Sequence, residues 1–332
     1  MLKILVTGAT GFIGSHFAAL AAAKGHEVVG VFGARRPDRQ EIVRRLESLG
    51  ITMRQADVLG PGGLLPVLDG VDCVCHFAGA FRESGADDNY FHEINVTGTA
   101  NALASAATAG VRRFVYCSTA GIFGQRVAGA ITEHSDVHPF NAYEASKLAA
   151  EVLIRQRAPE LAIEYVIVRP ASVYGPGDVR LLKMFKAAAK GRFPLFGRGE
   201  GRRHMIYVTD LAEAFLLACT VPGAASGEFN IAGPRVTRLR EILDSLAKVV
   251  GRKATGPRLP LAPMMYAAAI TEFACGKLGV DPPIYRRRMD FYVNDAEFDC
   301  RAANHALGWQ AQVELDEGLK RTYGAYCAAG WI

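Results

Sequence analysis

The N-terminal stretch constrains this chain more than any other part of it. The apolar, β-rich run Lys3-Ile4-Leu5-Val6-Thr7 leads without a linker into Gly8-Ala9-Thr10-Gly11-Phe12-Ile13-Gly14, and an alanine-rich stretch of helical composition follows. Strand, glycine turn and helix in that order form the opening unit of a doubly wound α/β sheet. Glycine permits the tight turn and lets backbone N–H groups approach a pyrophosphate, which the helix N-terminus stabilises. The spacing is G-x-x-G-x-x-G, not the more usual G-x-G-x-x-G. In this context the loop, with Gly8, Thr10, Gly11, Phe12, Ile13 and Gly14, is expected to hold a dinucleotide.

The rest of the first half keeps the same rhythm. Strands are expected at Lys3–Thr7, Glu27–Phe32, Thr52–Ala56, Cys73–Phe77, Arg113–Cys117 and Tyr165–Arg169. Helices are expected near Ile13–Lys24, Arg39–Leu49, Gly63–Leu68, Tyr90–Ala109 and Ala142–Gln156. Near-continuous apolar strands such as Val71–Phe77 belong in a parallel sheet covered on both faces. Beyond Tyr174-Gly175-Pro176-Gly177 the alternation loosens. The expected order there is a helix (Leu181–Lys190), a Gly/Arg-rich loop (Gly197–Arg203), a strand and helix (Met205–Cys219), a strand (Glu228–Ile231) and a helix (Leu239–Val250). Pro-interrupted helix, a strand near Phe291–Asn294 and a last helix around Leu315–Cys327 complete it. The expected division is a cofactor domain over residues 1–176, with 205–235 returning to it, and a smaller, mostly helical substrate lobe over 177–332.

Composition removes several classes. The chain has 332 residues, half of them hydrophobic, and a net charge of only +5, without a basic stripe interleaved with aromatics, so nucleic acid is not an expected partner. The local arginine groups Arg35-Arg36, Arg202-Arg203 and Arg286–Arg288 point instead to small anionic ligands. Seven cysteines, none in C-x-x-C spacing, indicate neither a zinc site nor a disulfide framework, and a reducing cytoplasm fits. No signal peptide is read, because Lys3–Val6 already belongs to the fold. The apolar stretch Leu259–Val280 is broken by Pro260, Pro263, Glu272 and Lys277, which argues against a spanning helix and leaves peripheral membrane contact open.

The end of the second strand reports on the cofactor. An acidic residue there would bind an adenosine ribose, and arginine would accept a 2′-phosphate. The sequence reads Val31-Phe32-Gly33-Ala34-Arg35-Arg36, which leans toward NADP over NAD. Asp57, after the third strand, is placed either for the adenine amino group or to cap the next helix.

The chemistry resides further on. Tyr143 and Lys147 fall one turn apart on one face of an alanine-rich helix. An ammonium near a phenol favours the phenolate, which can take a proton from an alcohol as hydride leaves or return one to a ketone. Ser118-Thr119 directly follows a strand, at the C-terminal sheet edge where ligands bind, and a hydroxyl there can steady the substrate oxygen.

With these pieces in order, the sequence resembles the extended short-chain dehydrogenase/reductase family, which includes nucleotide-sugar epimerases and dehydratases, 3β-hydroxysteroid-dehydrogenase-like and dihydroflavonol-reductase-like enzymes. The resemblance covers essentially the whole chain. It rests on Thr7–Gly14, Asp57-Val58, His76–Gly79, Asn95–Thr99, Ser118-Thr119, Tyr143–Lys147, Arg169-Pro170, Val173–Gly177, Tyr207–Asp210 and Leu307–Trp309. It implies that Thr119 is the catalytic Ser/Thr and that Lys147 also holds the nicotinamide ribose. It further implies that Val58 and Gly79 belong to the cofactor site, that Phe77, Ala78, Pro170, Ala171 and Val173 line the nicotinamide side, and that the protein is a homodimer. Dimerisation would run through the alanine-rich helices Tyr90–Ala109 and Ala142–Gln156. Two positions depart from the pattern. Phe123 stands where a tyrosine is frequent, and Ser172 stands in a stretch where nucleotide-sugar members carry asparagine. Arg203 pulls the other way, since it matches a phosphate-binding arginine.

Ser118, Thr119, Ser172 and Arg203 are therefore the expected substrate contacts. His76 and Asn95 are read as structural, and no partner is evident for His204. The leading reading is an oxidoreductase moving hydride between NAD(P) and a secondary alcohol or ketone on a bulky sterol-, lipid- or cyclic-type substrate, because the lobe is apolar around Leu259–Phe273. The alternatives are a nucleotide-sugar epimerase or dehydratase with tightly held NAD, and a cofactor-sensing regulator without catalysis.

Overall fold

The computed structural model describes residues 1–33, 39–81, 88–124, 126–190, 195–252, 258–278 and 295–332. In chain order the strands are β1 (Lys3–Thr7), β2 (Glu27–Phe32), β3 (Thr52–Gln55), β4 (Cys73–His76), β5 (Arg113–Cys117), β6 (Arg126–Ile131), β7 (Glu164–Pro170) and β8 (Ser172–Tyr174). There follow β9 (Leu195–Phe196), β10 (Arg202–Arg203), β11 (Met205–Tyr207), β12 (Gly227–Ile231), β13 (Thr237–Arg238), β14 (Arg258–Leu259) and β15 (Asp295–Phe298). The helices needed below are α1 (Phe12–Ala23), α2 (Gln40–Ser48), α3 (Asp88–His92), α4 (Gly98–Thr108), α5 (Ala142–Glu160), α6 (Val179–Ala189), α7 (Val208–Thr220), α8 (Leu239–Val249) and α9 (Leu261–Leu278).

A parallel sheet in the order β12-β7-β5-β4-β1-β2-β3 forms the centre, a Rossmann-type α/β arrangement. The chain winds outward from β1 in both directions, so the strand order reverses between β4 and β2, and a ligand crevice opens beside β1 at the C-terminal edge. The apolar strand residues explain the layers. Ile4, Val6, Cys73 and Cys75 pack against α1 and α7 on one face, with Phe17, Phe215 and Cys219. Leu5, Val74, Phe114 and Tyr116 face Leu103, Ala106 and Ile154 on the other. A separate core of Tyr174, Phe185, Leu243, Leu319 and Tyr326 holds α6, α8 and the last helix, Leu315–Ala328, together.

Three expectations about elements need correcting. The helix expected over Tyr90–Ala109 is divided, because a π-helical turn at Glu93–Thr97 separates α3 from α4. The inserted residue rotates Asn95 inward, where it is fully buried. The stretch expected as Pro-interrupted helix contains one continuous helix, α9, because Pro263 falls in the first turn where no N–H is required. The helix expected at Gly63–Leu68 contracts to a single 3₁₀ turn, Leu65–Val67. β6, which pairs in parallel with β15, was not anticipated, because its sequence Arg-Val-Ala-Gly-Ala-Ile gives no strong strand signal. Residues 291–294 and the group Arg286–Arg288 lie outside the described residues. No helix among the described residues is long and apolar enough to cross a membrane.

Candidate active site

The glycine loop is shaped by contacts that side chains would prevent. Gly8 has φ of +66°, and a Cβ there would meet the Ala78 nitrogen at 2.8 Å. A Cβ on Gly14 would come within 2.4 Å of the Gly8 carbonyl oxygen. Ser15 donates the first helical bond back to Gly11, at 3.0 Å, so the N–H groups of Phe12, Ile13 and Gly14 precede any helical acceptor. The loop is therefore a narrow cradle at the positive end of α1, which fits a pyrophosphate. Arg39, just before α2, donates to the Thr10 carbonyl. Arg35 and Arg36 fall outside the described residues. Asp57 is exposed, and its Oδ1 accepts from the Leu59 N–H at 3.0 Å, which closes a local turn and caps no helix, since the next helical turn starts at Leu65. Val58 packs close to Gly98, where a Cβ would approach it to 3.2 Å.

At the end of β4, His76 is fully buried between two hydroxyls, with Thr7 Oγ1 2.8 Å from Nδ1 and Thr99 Oγ1 3.2 Å from Nε2. Burial drives its pKa down to about 3, so the ring is neutral. It is structural, as expected, but it satisfies side chains and not backbone groups. Asn95 proves more than a helix residue. It accepts from the Ala80 N–H at 2.8 Å and donates to the Ala80 carbonyl at 3.2 Å and to Ser146 Oγ at 2.8 Å. It thereby joins the loop after β4 to the helix carrying the tyrosine and lysine. Phe77 packs its ring against Phe17 and Phe215, at 5.3 and 4.6 Å, so its side chain supports the sheet.

α5 begins where its sequence says it should. Asn141 caps it by accepting from the Glu144 N–H at 3.0 Å, and the Glu144 carboxylate accepts from the Phe140 N–H at 2.8 Å. That start places Tyr143 in the first turn and buries Lys147 one turn on. The Lys147 ammonium lies 4.2 Å from the centre of the Tyr116 ring, and a Cβ on Gly79 would stand 3.9 Å from its Nζ. Burial pulls its pKa down to about 8, opposed by Cys117 and Glu151. Thr119 caps the 3₁₀ turn Ala120–Phe123 by accepting from the Gly121 N–H at 3.1 Å, and its hydroxyl also hydrogen-bonds Tyr143.

The electrostatics of Tyr143 differ from expectation. Burial, reinforced by Cys117, pushes its pKa well above the ordinary tyrosine value. The influences that pull it back are the Thr119 hydrogen bond and the Arg180 guanidinium, so in this structure the lysine is not the main cation acting on the phenol. Tyr143 is also walled by aromatics that sequence reasoning missed. The rings of Phe81 and Phe91 stand edge-on to it at 4.8 and 6.5 Å.

The expected substrate contacts divide. Ser118 is buried and donates to Glu151, which also accepts from Arg169 at 3.0 and 2.7 Å. Its hydroxyl thus faces the joint between sheet and α5. Ser172 is exposed on β8. Arg203 lies in β10, buried, with Thr237 opposite it in β13. Burial lowers its pKa to about 10, against the opposing pull of Asp295. Arg202, beside it, ion-pairs with Asp295 and Glu297 at 2.8 and 3.0 Å. His204 has partners after all: the Phe298 N–H donates to Nδ1 at 3.1 Å, which leaves Nε2 to donate to the Gly233 carbonyl at 2.9 Å. Pro170 closes β7, the Ala171 N–H donates to Ile231 at 2.9 Å, and Val173 is buried in β8.

A Rossmann sheet with this loop, and with a threonine bonded to a tyrosine that stands one helical turn from a buried lysine, has a recognisable counterpart. The model of the NAD dependent epimerase/dehydratase family matches residues 4–232. The chain belongs to this family. As an epimerase/dehydratase family member of the extended short-chain dehydrogenase/reductase type, it is a nicotinamide-dependent enzyme. It is 27% identical over 331 residues to the 2-alkyl-3-oxoalkanoate reductase of Stenotrophomonas maltophilia (strain K279a), covering 96% of this chain and 98% of that one. It is 29% identical over 333 residues to the UDP-glucose 4-epimerase of Mycolicibacterium smegmatis (strain ATCC 700084 / mc(2)155), covering 97% of each. The solved structure of UDP-glucuronic acid 4-epimerase from Bacillus cereus in complex with NAD shares the fold, with a TM-score of 0.80 and 24% identity over 99% of both chains. Both net reductases and epimerases thus stand among the relatives of this epimerase/dehydratase family member.

Proposed function

We propose that this enzyme moves hydride between a nicotinamide cofactor, with NADP preferred, and a secondary alcohol or ketone on a substrate with a bulky apolar body of sterol, lipid or cyclic type. The nicotinamide, when bound, supplies or accepts the hydride. In the oxidising direction the alcohol loses hydride from carbon and a proton from oxygen to Tyr143, giving the ketone, and in the reducing direction Tyr143 returns the proton. Thr119 holds the substrate oxygen beside the phenol. Lys147 holds the ribose and adds positive charge near the tyrosine. The observation that carries the apolar reading is the aromatic wall around Tyr143, with Phe81 still 41% exposed beside it. The preference for NADP is supported by the absence of an acidic residue in Val31–Gly33 at the end of β2 and by Arg39 reaching the glycine loop.

A second reading, nucleotide-sugar epimerisation with retained NAD, is favoured by Arg203, an arginine buried in the second lobe beside the Ser172 strand's partner, β11. One experiment separates the two. The purified protein is denatured and the supernatant assayed for nicotinamide, and the native protein is then offered free NADP or NAD with a hydrophobic secondary alcohol. The expected outcome is little retained cofactor and net reduction of added NADP. Stoichiometric released NAD with no net cofactor turnover would overturn the first reading. Dimerisation through α4 and α5 is part of the same proposal, and light scattering of the purified protein tests it.

A further inference from the structure

Arg180 lies close to both the glycine-loop helix and the surroundings of Tyr143. It stands in the first turn of α6, immediately after the Tyr174–Gly177 turn. Asp178, itself only 2% exposed, holds one edge of the guanidinium, accepting from Nε at 2.7 Å and from Nη2 at 3.1 Å. Nη2 also donates to the Val173 carbonyl. These bonds fix the plane of the group and leave Nη1 with no hydrogen bond among the described residues. The guanidinium carbon lies 5.9 Å from the centre of the Phe12 ring and 5.9 Å from that of Phe81. Phe12 opens the helix of the glycine loop, and the Phe81 ring is 4.8 Å from Tyr143. A half-buried cation is thus held beside both the cofactor cradle and the aromatic ring that packs on the phenol, with one nitrogen still able to donate.

We propose that Arg180 is a substrate-binding residue that receives a carboxylate, so that the substrate is a hydroxy or oxo acid with an apolar body. This rests on the hydride-transfer reading above and names the substrate class of the same site. A singly charged group fits better than a diphosphate for two reasons. Asp178 already compensates much of the arginine charge, and only one nitrogen remains to donate. A diphosphate spreads its charge over many oxygens and calls for several cations. The aromatic walls lower the local dielectric, which strengthens a single well-placed ion pair. The arginine acting on Tyr143 also means that a bound carboxylate would temper the pull on the phenol, coupling substrate binding to the proton donor.

The test is direct binding, so it does not depend on turnover. Wild-type protein loaded with reduced cofactor is titrated calorimetrically with a stable 2-alkyl-3-hydroxyalkanoate, with its methyl ester, and with UDP-glucose. The expected result is that the acid binds at least about tenfold more tightly than the ester, equivalent to about 1.4 kcal/mol. Arg180→Met, which keeps an unbranched apolar stem against Phe12 and Phe81, is expected to erase that preference while cofactor affinity stays within about twofold. Arg180→Lys is expected to retain part of it, which serves if the methionine variant does not fold. Equal binding of acid and ester by the wild type overturns the proposal, as does a preference that survives Arg180→Met. Binding of UDP-glucose alone, weakened in Arg180→Met, reassigns the arginine to phosphate and also overturns it. If the acid binds through Arg180 but no hydride transfer occurs with either cofactor, the carboxylate site stands and the oxidoreductase reading falls.

Discussion

Two groups of residues bear on the proposed site, and they are held in different ways. On the sheet side, Lys147 is buried over Tyr116, and Asn95 binds both backbone groups of Ala80 together with Ser146. There the reacting groups are fixed by the strands and by the capped start of α5. The proposed substrate groups Arg180, Ser172 and Arg203 sit instead on a helix end or on strands of two and three residues. The sheet-side groups are tied into the strands and the capped start of α5, whereas the others sit on short elements at the sheet's periphery. That contrast explains how one family holds both the reductases and the epimerases among this chain's relatives.

The largest effect should come from the sheet-side groups. Tyr143→Phe removes the proton-transfer hydroxyl and leaves the ring against Phe81, so kcat is expected to fall about 10²- to 10⁴-fold with cofactor affinity kept. A variant with full turnover on the true substrate would break the assignment of chemistry to these groups.

Lys147→Met comes next, and it should move stability and activity in opposite directions. A buried lysine held down at about 8 is one that the fold disfavours in its charged form. The folded pKa lies below the unfolded value, so the unfolded state binds the extra proton between about pH 8 and about 10.4, and stability rises with pH across that window. Replacing the charge with an apolar chain of similar length is expected to stabilise the cofactor-free protein at pH 7 by up to about 3 kcal/mol and to remove its share of that rise. Activity should drop severely. Thermal denaturation of both proteins from pH 6 to about pH 10 reads the difference, and a destabilised variant would mean that Lys147 is stabilised by more than its surroundings show.

Ser118→Ala sharpens the boundary between the two groups. Its hydroxyl serves Glu151, so the expected cost is about 1.5–3 kcal/mol of stability with KM little changed. A tenfold rise in KM would return Ser118 to the substrate side.

Much of the sheet side was legible because its residues answer local rules. Thr7–Gly14 reads as a strand and turn, and the four-residue step from Tyr143 to Lys147 shares a helical face. Asn141 and Glu144 mark the helix start by capping chemistry that needs no distant partner. What stayed hidden depends on partners far along the chain. Nothing local announces that the Ser118 hydroxyl meets Glu151, that His204 closes on Gly233 and Phe298, or that a π turn rotates Asn95 onto Ala80. Arg180 looked like one basic residue in a helix start, and only its clamp by Asp178 and its place between Phe12 and Phe81 set it apart.

The sequence by itself determined the fold class, the nicotinamide-dependent chemistry and the placing of Tyr143 and Lys147 one turn apart on one helix. Glycine spacing, strand composition and helical periodicity act over a few residues and carry their meaning wherever they occur. The tertiary structure decided which polar groups face the crevice and what sets their charge. The partial burial of Tyr143, the burial of Lys147 and Arg203, and the approach of Arg180 to the phenol arise from packing between segments distant in the chain. Desolvation and Coulomb forces follow distance in space, and distance in space is what the linear order of residues does not contain.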